Sequence, residues 1–172
     1  VDAREVLLRG FELELRRSPP AFVLRDAGGL FNELTTIRGT RAEDLADFPF
    51  TKALGISSYP YLAYADPGEI PPDYYSRIKG ASGLPVIVTE GGWTSADLGK
   101  IVSSPAKQAT YFAAHSALLD SVQATGYFQL LFADLDLAAF PAPQPASLPV
   151  FAALGLTNAD FVPKPALAQW DA

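Results

Sequence analysis

The sequence predicts an α/β fold built around a parallel β-sheet. Two segments, residues 84–90 and 127–137, are largely apolar up to the acidic residues near their ends and do not alternate, which is typical of strands covered on both faces. A shorter apolar segment, residues 53–57, precedes them, and segments with helical signals separate the three. The order strand, helix, strand, helix, strand is that of βαβ units, and a helix-like tail follows the last strand.

The two separating segments carry recognisable helix ends. The first is expected to start near Pro72, whose missing N–H costs nothing at a helix start, and to end at Gly80 or Gly83. The second is expected to run from its N-cap Ser104 to a stop at Gly126. Its spacing predicts one face made of Ala109, Phe112, Ala113, Ser116, Leu119 and Val122.

Residues 1–50 leave two structures open. Residues 11–17 alternate between apolar and polar side chains, and residues 21–26 form a second short apolar segment, so a β-hairpin is one interpretation. A helix followed by a loop is the other. Residues 41–48 are a candidate for a short helix. We treat residues 1–172 as a single domain with this uncertain N-terminal segment.

Composition excludes several classes of function. The chain has 172 residues, 49% hydrophobic and 19% charged, which indicates a globular protein. Its net charge of −6 and the lack of a basic stripe argue against a nucleic-acid partner. No apolar run approaches the ~18 residues of a membrane span. With no cysteine and one histidine, the sequence offers no thiolate or histidine-based metal site, and we expect no metal and no cofactor.

The sequence also contains no methionine. We therefore expect a processed chain or part of a longer one, and the absence of a signal peptide says nothing about the compartment.

Polar residues collect where the expected strands end, which is where parallel α/β folds display their functional groups. The first strand is followed by Tyr59 and Tyr61, and the second ends in Glu90, two glycines and Trp93. Cleavage of a glycosidic bond requires a carboxylate near the anomeric carbon, and aromatic rings pack against sugar faces. Carbohydrate chemistry is therefore one interpretation of these residues.

Simpler interpretations stay open for the same residues. Glu90 could cap the following turn or pair with an arginine. The tyrosines and Trp93 could be packing residues, and we expect His115, in the middle of a helix, to be a packing or a surface residue. Asp134, and Asp136 two positions later, could be ordinary loop acids.

Four segments in this order and spacing resemble the C-terminal half of clan A retaining glycoside hydrolases, nearest to the (β/α)8-barrel enzymes that cleave β-linked galactans and glucans. The segments are GISSYPYL, PVIVTEGGWTS, YFQLLFADLDL and LGLTNADFVPKPALAQW. The resemblance covers residues 52–172. It implies a partial (β/α)8 TIM barrel, roughly strands five or six to eight, and an extracellular or periplasmic location. A whole barrel needs about 250 residues, so this chain does not suffice for one.

The resemblance also implies roles for individual residues. Glu90 matches the nucleophile, and Tyr59 matches the sixth-strand tyrosine that hydrogen-bonds it. Trp93 matches a residue beside the sugar subsites. Where the family commonly has a tryptophan under the sugar ring, this chain has Phe132, followed by Asp134.

The family's acid/base is the glutamate of an Asn-Glu pair at the tip of the fourth strand, and the pair in this sequence is Asn32-Glu33. Glu33 and Glu90 are 57 positions apart, into which two α/β units of ~30 residues barely fit. The spacing favours an acid/base supplied by a missing N-terminal half or by a homodimer partner. The resulting hypotheses are a retaining glycosidase acting on a β-linked carbohydrate and a non-catalytic carbohydrate-binding or structural relic of such a barrel.

Overall fold

The computed structural model describes residues 53–80, 82–145 and 147–172. The expectations for residues 1–50, including the hairpin, the helix at residues 41–48 and the pair Asn32-Glu33, lie outside the described residues.

The core element of the described part of the chain is a three-stranded parallel sheet with the order β1-β2-β3. Its strands are β1 (Leu54–Ser58), β2 (Val86–Gly91) and β3 (Gly126–Gln129). The sheet confirms the predicted α/β fold, and it places β2 between two parallel neighbours. Because the strands are parallel, their carboxyl ends share one edge of the sheet.

Within the described residues, four helices accompany the sheet. They are α1 (Tyr74–Lys79), α2 (Pro105–Ser121), α3 (Leu148–Phe151) and α4 (Pro165–Trp170). Short 3-10 helices lie at Pro60–Leu62, Pro67–Glu69 and Leu137–Ala139. The start of α2 is as predicted, because the Ser104 side chain accepts a hydrogen bond from the backbone N–H of Lys107 and Pro105 is the first helical residue.

Three predicted boundaries are wrong, and one of them is the end of α2, which lies at Ser121 rather than at Gly126, where β3 begins. Helix α1 begins at Tyr74 rather than near Pro72, since the residues before it form a turn in which the Tyr74 N–H bonds the Pro71 carbonyl. The third strand ends at Gln129 rather than continuing through residues 130–137. There the chain pairs with the C-terminal tail, because the Phe132 carbonyl accepts hydrogen bonds from the N–H groups of Leu156 and Thr157.

The buried face of α2 differs from the predicted one. It carries Gln108, Tyr111, Phe112 and His115, whereas Ala113 and Ser116 are exposed. The apolar pattern was misleading because two polar residues, Gln108 and His115, are buried with hydrogen-bond partners of their own. Of the two interpretations of His115, as a packing or a surface residue, its burial supports the first.

The packed helices and the exposed part of β3 lie on opposite faces of the sheet. The ring of Tyr127 in β3 lies 4.5 Å from that of His115 in α2. The next residue, Phe128, points to the opposite face and is 61% exposed. A Cβ added to Gly126 would lie 3.7 Å from both Ile87 and Phe128, so those two side chains share the second face. In the described structure that face is open at β3, contrary to the prediction that both faces are covered.

Candidate functional site

Glu90 is the next-to-last residue of the central strand β2 and is half-buried at the carboxyl edge of the sheet. The pairing of β1 with β2 is irregular just before it. Ile56 pairs with Val88 and Ser57 with Glu90, so Thr89 is an extra residue on β2. Irregularities of this kind re-aim side chains and are frequent beside active sites.

The backbone after Glu90 is held between both neighbouring strands. The N–H of Gly92 bonds the Ser58 carbonyl at 3.2 Å, and the carbonyl of Gly91 accepts the N–H of Leu130 at 3.0 Å. A Cβ at Gly91 would lie 2.7 Å from the Ser58 carbonyl oxygen, a distance that a real side chain does not tolerate. The glycine after Glu90 therefore allows the two strand tips to approach closely.

The two tyrosines after β1 are buried, which corrects the prediction that they offer ring faces to a sugar. Tyr59 packs edge-on against Tyr61 and Phe151, and the Tyr61 hydroxyl donates to the Val150 carbonyl at 3.0 Å. Tyr59 nevertheless lies one residue beyond β1, at the same sheet edge as Glu90. Its hydrogen bond to Glu90 stays a prediction.

Trp93 is also part of the core, with 1% of its surface exposed. Its indole N–H donates to the Ser103 hydroxyl at 2.9 Å, and its ring packs against Tyr111 and Tyr61 with centroids 5.4 Å and 6.1 Å away. The expectation that Trp93 contacts a sugar is corrected, because its burial leaves no ring face free.

Phe132 and Asp134 differ sharply in environment. Phe132 is 58% exposed in the segment after β3 and is free to contact a ligand. One carboxylate oxygen of Asp134 accepts hydrogen bonds from the Lys164 ammonium at 2.7 Å and from the Gly155 N–H at 2.9 Å. Lys164 also donates to the Ser95 hydroxyl, and its burial lowers its pKa while Asp134 opposes that shift. These contacts support a structural role for Asp134, and its part in substrate binding stays a prediction.

A buried hydrogen-bond chain beside the sheet edge was not predicted. The Ser58 hydroxyl lies 2.8 Å from the Tyr75 hydroxyl, which lies 2.7 Å from Nε2 of His115. Burial lowers the pKa of His115 to about 3, so the imidazole is neutral near pH 7. The sequence held one usable signal, a serine directly at the end of an apolar strand.

Within the described ranges, no cluster of three or more acidic or histidine side chains is arranged to hold a metal ion. None of the helices in the same ranges combines the length and apolar character needed to cross a membrane. Glu33 lies outside these ranges.

Solved structures similar to this fold include β-glucuronidases. One from an uncultured Clostridium sp. is 22% identical, with a TM-score of 0.52, over 71% of this chain and 22% of that chain. The Ruminococcus gnavus enzyme in complex with D-glucuronic acid is 20% identical, with a TM-score of 0.54, over 77% of this chain and 24% of that chain. No family model matches the sequence. No curated protein sequence matches it either.

These similarities show a fold shared with solved glycoside hydrolases. The matched region is less than a quarter of the length of those structures, at 22% and 24%.

Proposed function

We propose that this chain is the C-terminal sector of a retaining β-glycoside hydrolase and that Glu90 is its nucleophile. The observation that carries the proposal is a half-buried carboxylate at the carboxyl end of the central parallel strand, in a fold shared with solved glycoside hydrolases. In parallel α/β folds this edge carries the reactive groups.

The order of the strands supports the proposal that this chain is a sector of a barrel. The strands lie side by side in chain order, β1-β2-β3. Because crossovers between parallel strands are right-handed, this order places the connecting helices on the same face of the sheet. In a doubly wound sheet helices cover both faces, whereas in a barrel the second face becomes the interior. The side chains of Ile87 and Phe128 lie together on the second face, and Phe128 is largely exposed. This arrangement is the one expected of three consecutive barrel strands.

The proposed chemistry uses two carboxyl groups. The carboxylate of Glu90 attacks the anomeric carbon, the bond to the leaving oxygen breaks, and a covalent glycosyl-enzyme forms. A second carboxyl group protonates the leaving oxygen and then removes a proton from the water that releases the sugar. We propose that this second group lies outside residues 53–172, either at Glu33 or in another part of the assembled protein.

The proposed substrates are β-linked glycosides. The similar solved structures are β-glucuronidases, so a β-glucuronide belongs in any test beside a β-glucoside and a β-galactoside. Phe132, exposed in the segment after β3, is the ring that we propose to pack against the sugar.

The test is release of leaving group from the 2,4-dinitrophenyl β-glycosides of these three sugars. This leaving group needs little protonation, so a working nucleophile releases it in a burst even without an acid. We expect a burst of about one equivalent from at least one glycoside and none from Glu90→Gln. Glu69→Gln is the matched control, because Glu69 is exposed in a 3-10 helix and its loss leaves the burst intact. A burst that persists in Glu90→Gln contradicts the assignment.

The second candidate is a non-catalytic carbohydrate-binding or structural relic. The burial of Trp93 and the engagement of Asp134 with Lys164 favour it, because both engage side chains that were predicted to contact the sugar. Its expected result is no burst with any of the three glycosides in the unsubstituted chain.

A further inference from the structure

The hydrogen-bond chain Ser58–Tyr75–His115 links three separate elements. Ser58 is the last residue of β1, Tyr75 belongs to the first turn of α1, and His115 lies in α2. All three side chains are buried, and the two oxygen–oxygen and oxygen–nitrogen distances are 2.8 Å and 2.7 Å. In a buried environment such bonds are stronger than in water, and breaking one leaves an unsatisfied polar group.

The chain continues through the backbone to the residues that follow Glu90. The carbonyl of Ser58, whose hydroxyl is held by Tyr75, accepts the N–H of Gly92 at 3.2 Å. Ser58 also pairs with Gly91 in the register of β1 and β2. The position of Ser58 therefore fixes the backbone one and two residues beyond Glu90.

We infer that Tyr75 is a positioning residue for Glu90, acting through Ser58 and oriented from behind by His115. This inference rests on the proposed function. Tyr75 does not touch the substrate; it holds the tip of β1, and through it the tip of β2, so that the Glu90 carboxylate faces the anomeric carbon. A misplacement of about 1 Å in a reacting group can cost up to about a hundredfold in rate.

The neighbouring residue provides a matched control. Tyr74 is equally buried in the same helix turn, but its hydroxyl has no hydrogen-bond partner within the residues that the structure describes. Tyr74→Phe and Tyr75→Phe remove the same atom from adjacent buried rings. A general effect of losing a buried hydroxyl appears in both variants, whereas loss of the chain appears only in Tyr75→Phe.

The experiment measures covalent labelling by the 2,4-dinitrophenyl 2-deoxy-2-fluoro-β-glycosides of glucose, galactose and glucuronic acid, using the full chain. For the sugar that labels the unsubstituted chain, we expect Tyr75→Phe to lower the maximal labelling rate about ten- to a hundredfold with an unchanged half-saturating concentration. Tyr74→Phe keeps the unsubstituted rate. Rates are compared per folded molecule, so that a purely structural loss of stability does not change them.

The outcomes separate the two claims. Equal rates in Tyr75→Phe and Tyr74→Phe overturn this inference and leave the proposed function standing. No labelling of the unsubstituted chain by any of the three compounds overturns the proposed function and this inference with it. Ser58→Ala breaks the same chain from its other end and carries the test if Tyr75→Phe does not fold.

A second measurement does not depend on catalysis. Amide hydrogen exchange at Gly92 reports the bond to the Ser58 carbonyl. We expect Tyr75→Phe to speed exchange at Gly92 about tenfold relative to Tyr74→Phe. Unchanged protection of Gly92 in Tyr75→Phe overturns the link between Tyr75 and the backbone beside Glu90.

Discussion

At the residue scale, burial decides which of the aromatic side chains near Glu90 can meet a ligand. Tyr59, Tyr61 and Trp93 are buried. Of the four aromatic residues predicted to contact a sugar, only Phe132 has a large exposed area. The enclosed rings form edge-to-face pairs with one another, each worth about 0.5–1.5 kcal/mol beyond the area buried. These rings therefore stiffen the support beneath the sheet edge.

Fluorescence tests the burial of Trp93. The variant Trp170→Phe keeps Trp93 as the single tryptophan, and we expect blue-shifted emission with weak acrylamide quenching, because Trp93 is 1% exposed. The converse variant Trp93→Phe keeps Trp170, which is 40% exposed, and should be quenched strongly. Strong quenching of Trp93, or a shift of its emission on adding sugar, contradicts the core placement.

The pH dependence of stability tests the environment of His115. Its pKa is about 3 in the folded protein and 6.5 when unperturbed, so the unfolded chain binds the proton first. The contribution of the neutral, buried His115 to the unfolding free energy is therefore complete above pH 6.5, and it is lost as the pH falls towards 3. Chemical denaturation should show a decrease in unfolding free energy of about 2 kcal/mol between pH 7.5 and pH 5.

His115 is the only histidine in the sequence, which makes the control simple. His115→Gln should lower stability at pH 7.5 and flatten the dependence between pH 7.5 and pH 5, where ordinary carboxyl groups change little. An equally steep dependence in His115→Gln is incompatible with a buried neutral histidine.

The sequence predicted the position of Glu90 better than the surroundings of the site. An apolar run ending in Glu-Gly-Gly reveals where a strand stops, and the close approach at Gly91 agrees with it. Whether Trp93 faces solvent depends on the distant residues Tyr61 and Tyr111, which no local pattern identifies. Likewise, the partner of Asp134 is Lys164, thirty positions away.

At the element scale, side chains from α2 and from the residue before α4 connect the loops that follow the strands. The side-chain amide of Gln108 in α2 donates to the carbonyls of Trp93 and Leu154, and Lys164 joins Asp134 to Ser95. The start of helix α2 was predictable because its cap is local. The early end of β3 was not, because it depends on pairing with a tail more than twenty residues later.

A double-mutant cycle tests the ion pair between Asp134 and Lys164. The pair is mostly buried, with 18% and 10% of the two side chains exposed, so removing one partner leaves a poorly solvated charge. We expect Asp134→Ala and Lys164→Ala each to lower the unfolding free energy by about 2 kcal/mol, between the values for exposed and fully buried pairs. The double variant should lose less than the sum of the two, and strict additivity in urea unfolding would contradict direct coupling.

At the scale of the whole molecule, the sheet has two unequal faces. One is packed against α1, α2 and α4 by the aromatic cluster, and the other shows Ile87 and Phe128. Phe128 is 61% exposed on the second face, and we propose that another part of the assembled protein covers it. The fold class could be predicted from strand composition, but not this asymmetry, because fully apolar strands suit a covered sheet and a barrel wall alike.

Measuring the self-association of the chain tests whether the open face of the sheet is a surface that another chain can bury. We expect the isolated chain to show a concentration-dependent mass in light scattering, and Phe128→Glu to shift it towards the monomer by placing a charge on that face. Phe161→Glu is the matched control, because Phe161 is 69% exposed in the turn before α4 rather than on the sheet. A monomeric chain at all concentrations, or an equal effect of both substitutions, contradicts the proposed role of the face.

The most direct test of the proposed function is the identity of the residue that carries a trapped sugar. After reaction with the activated 2-deoxy-2-fluoro-β-glycosides, digestion and tandem mass spectrometry should place one glycosyl group on Glu90. The Glu90→Gln variant should carry none. A glycosyl group on any other residue, or an unlabelled chain with all three sugars, would contradict the assignment of Glu90 as the nucleophile of a retaining glycosidase.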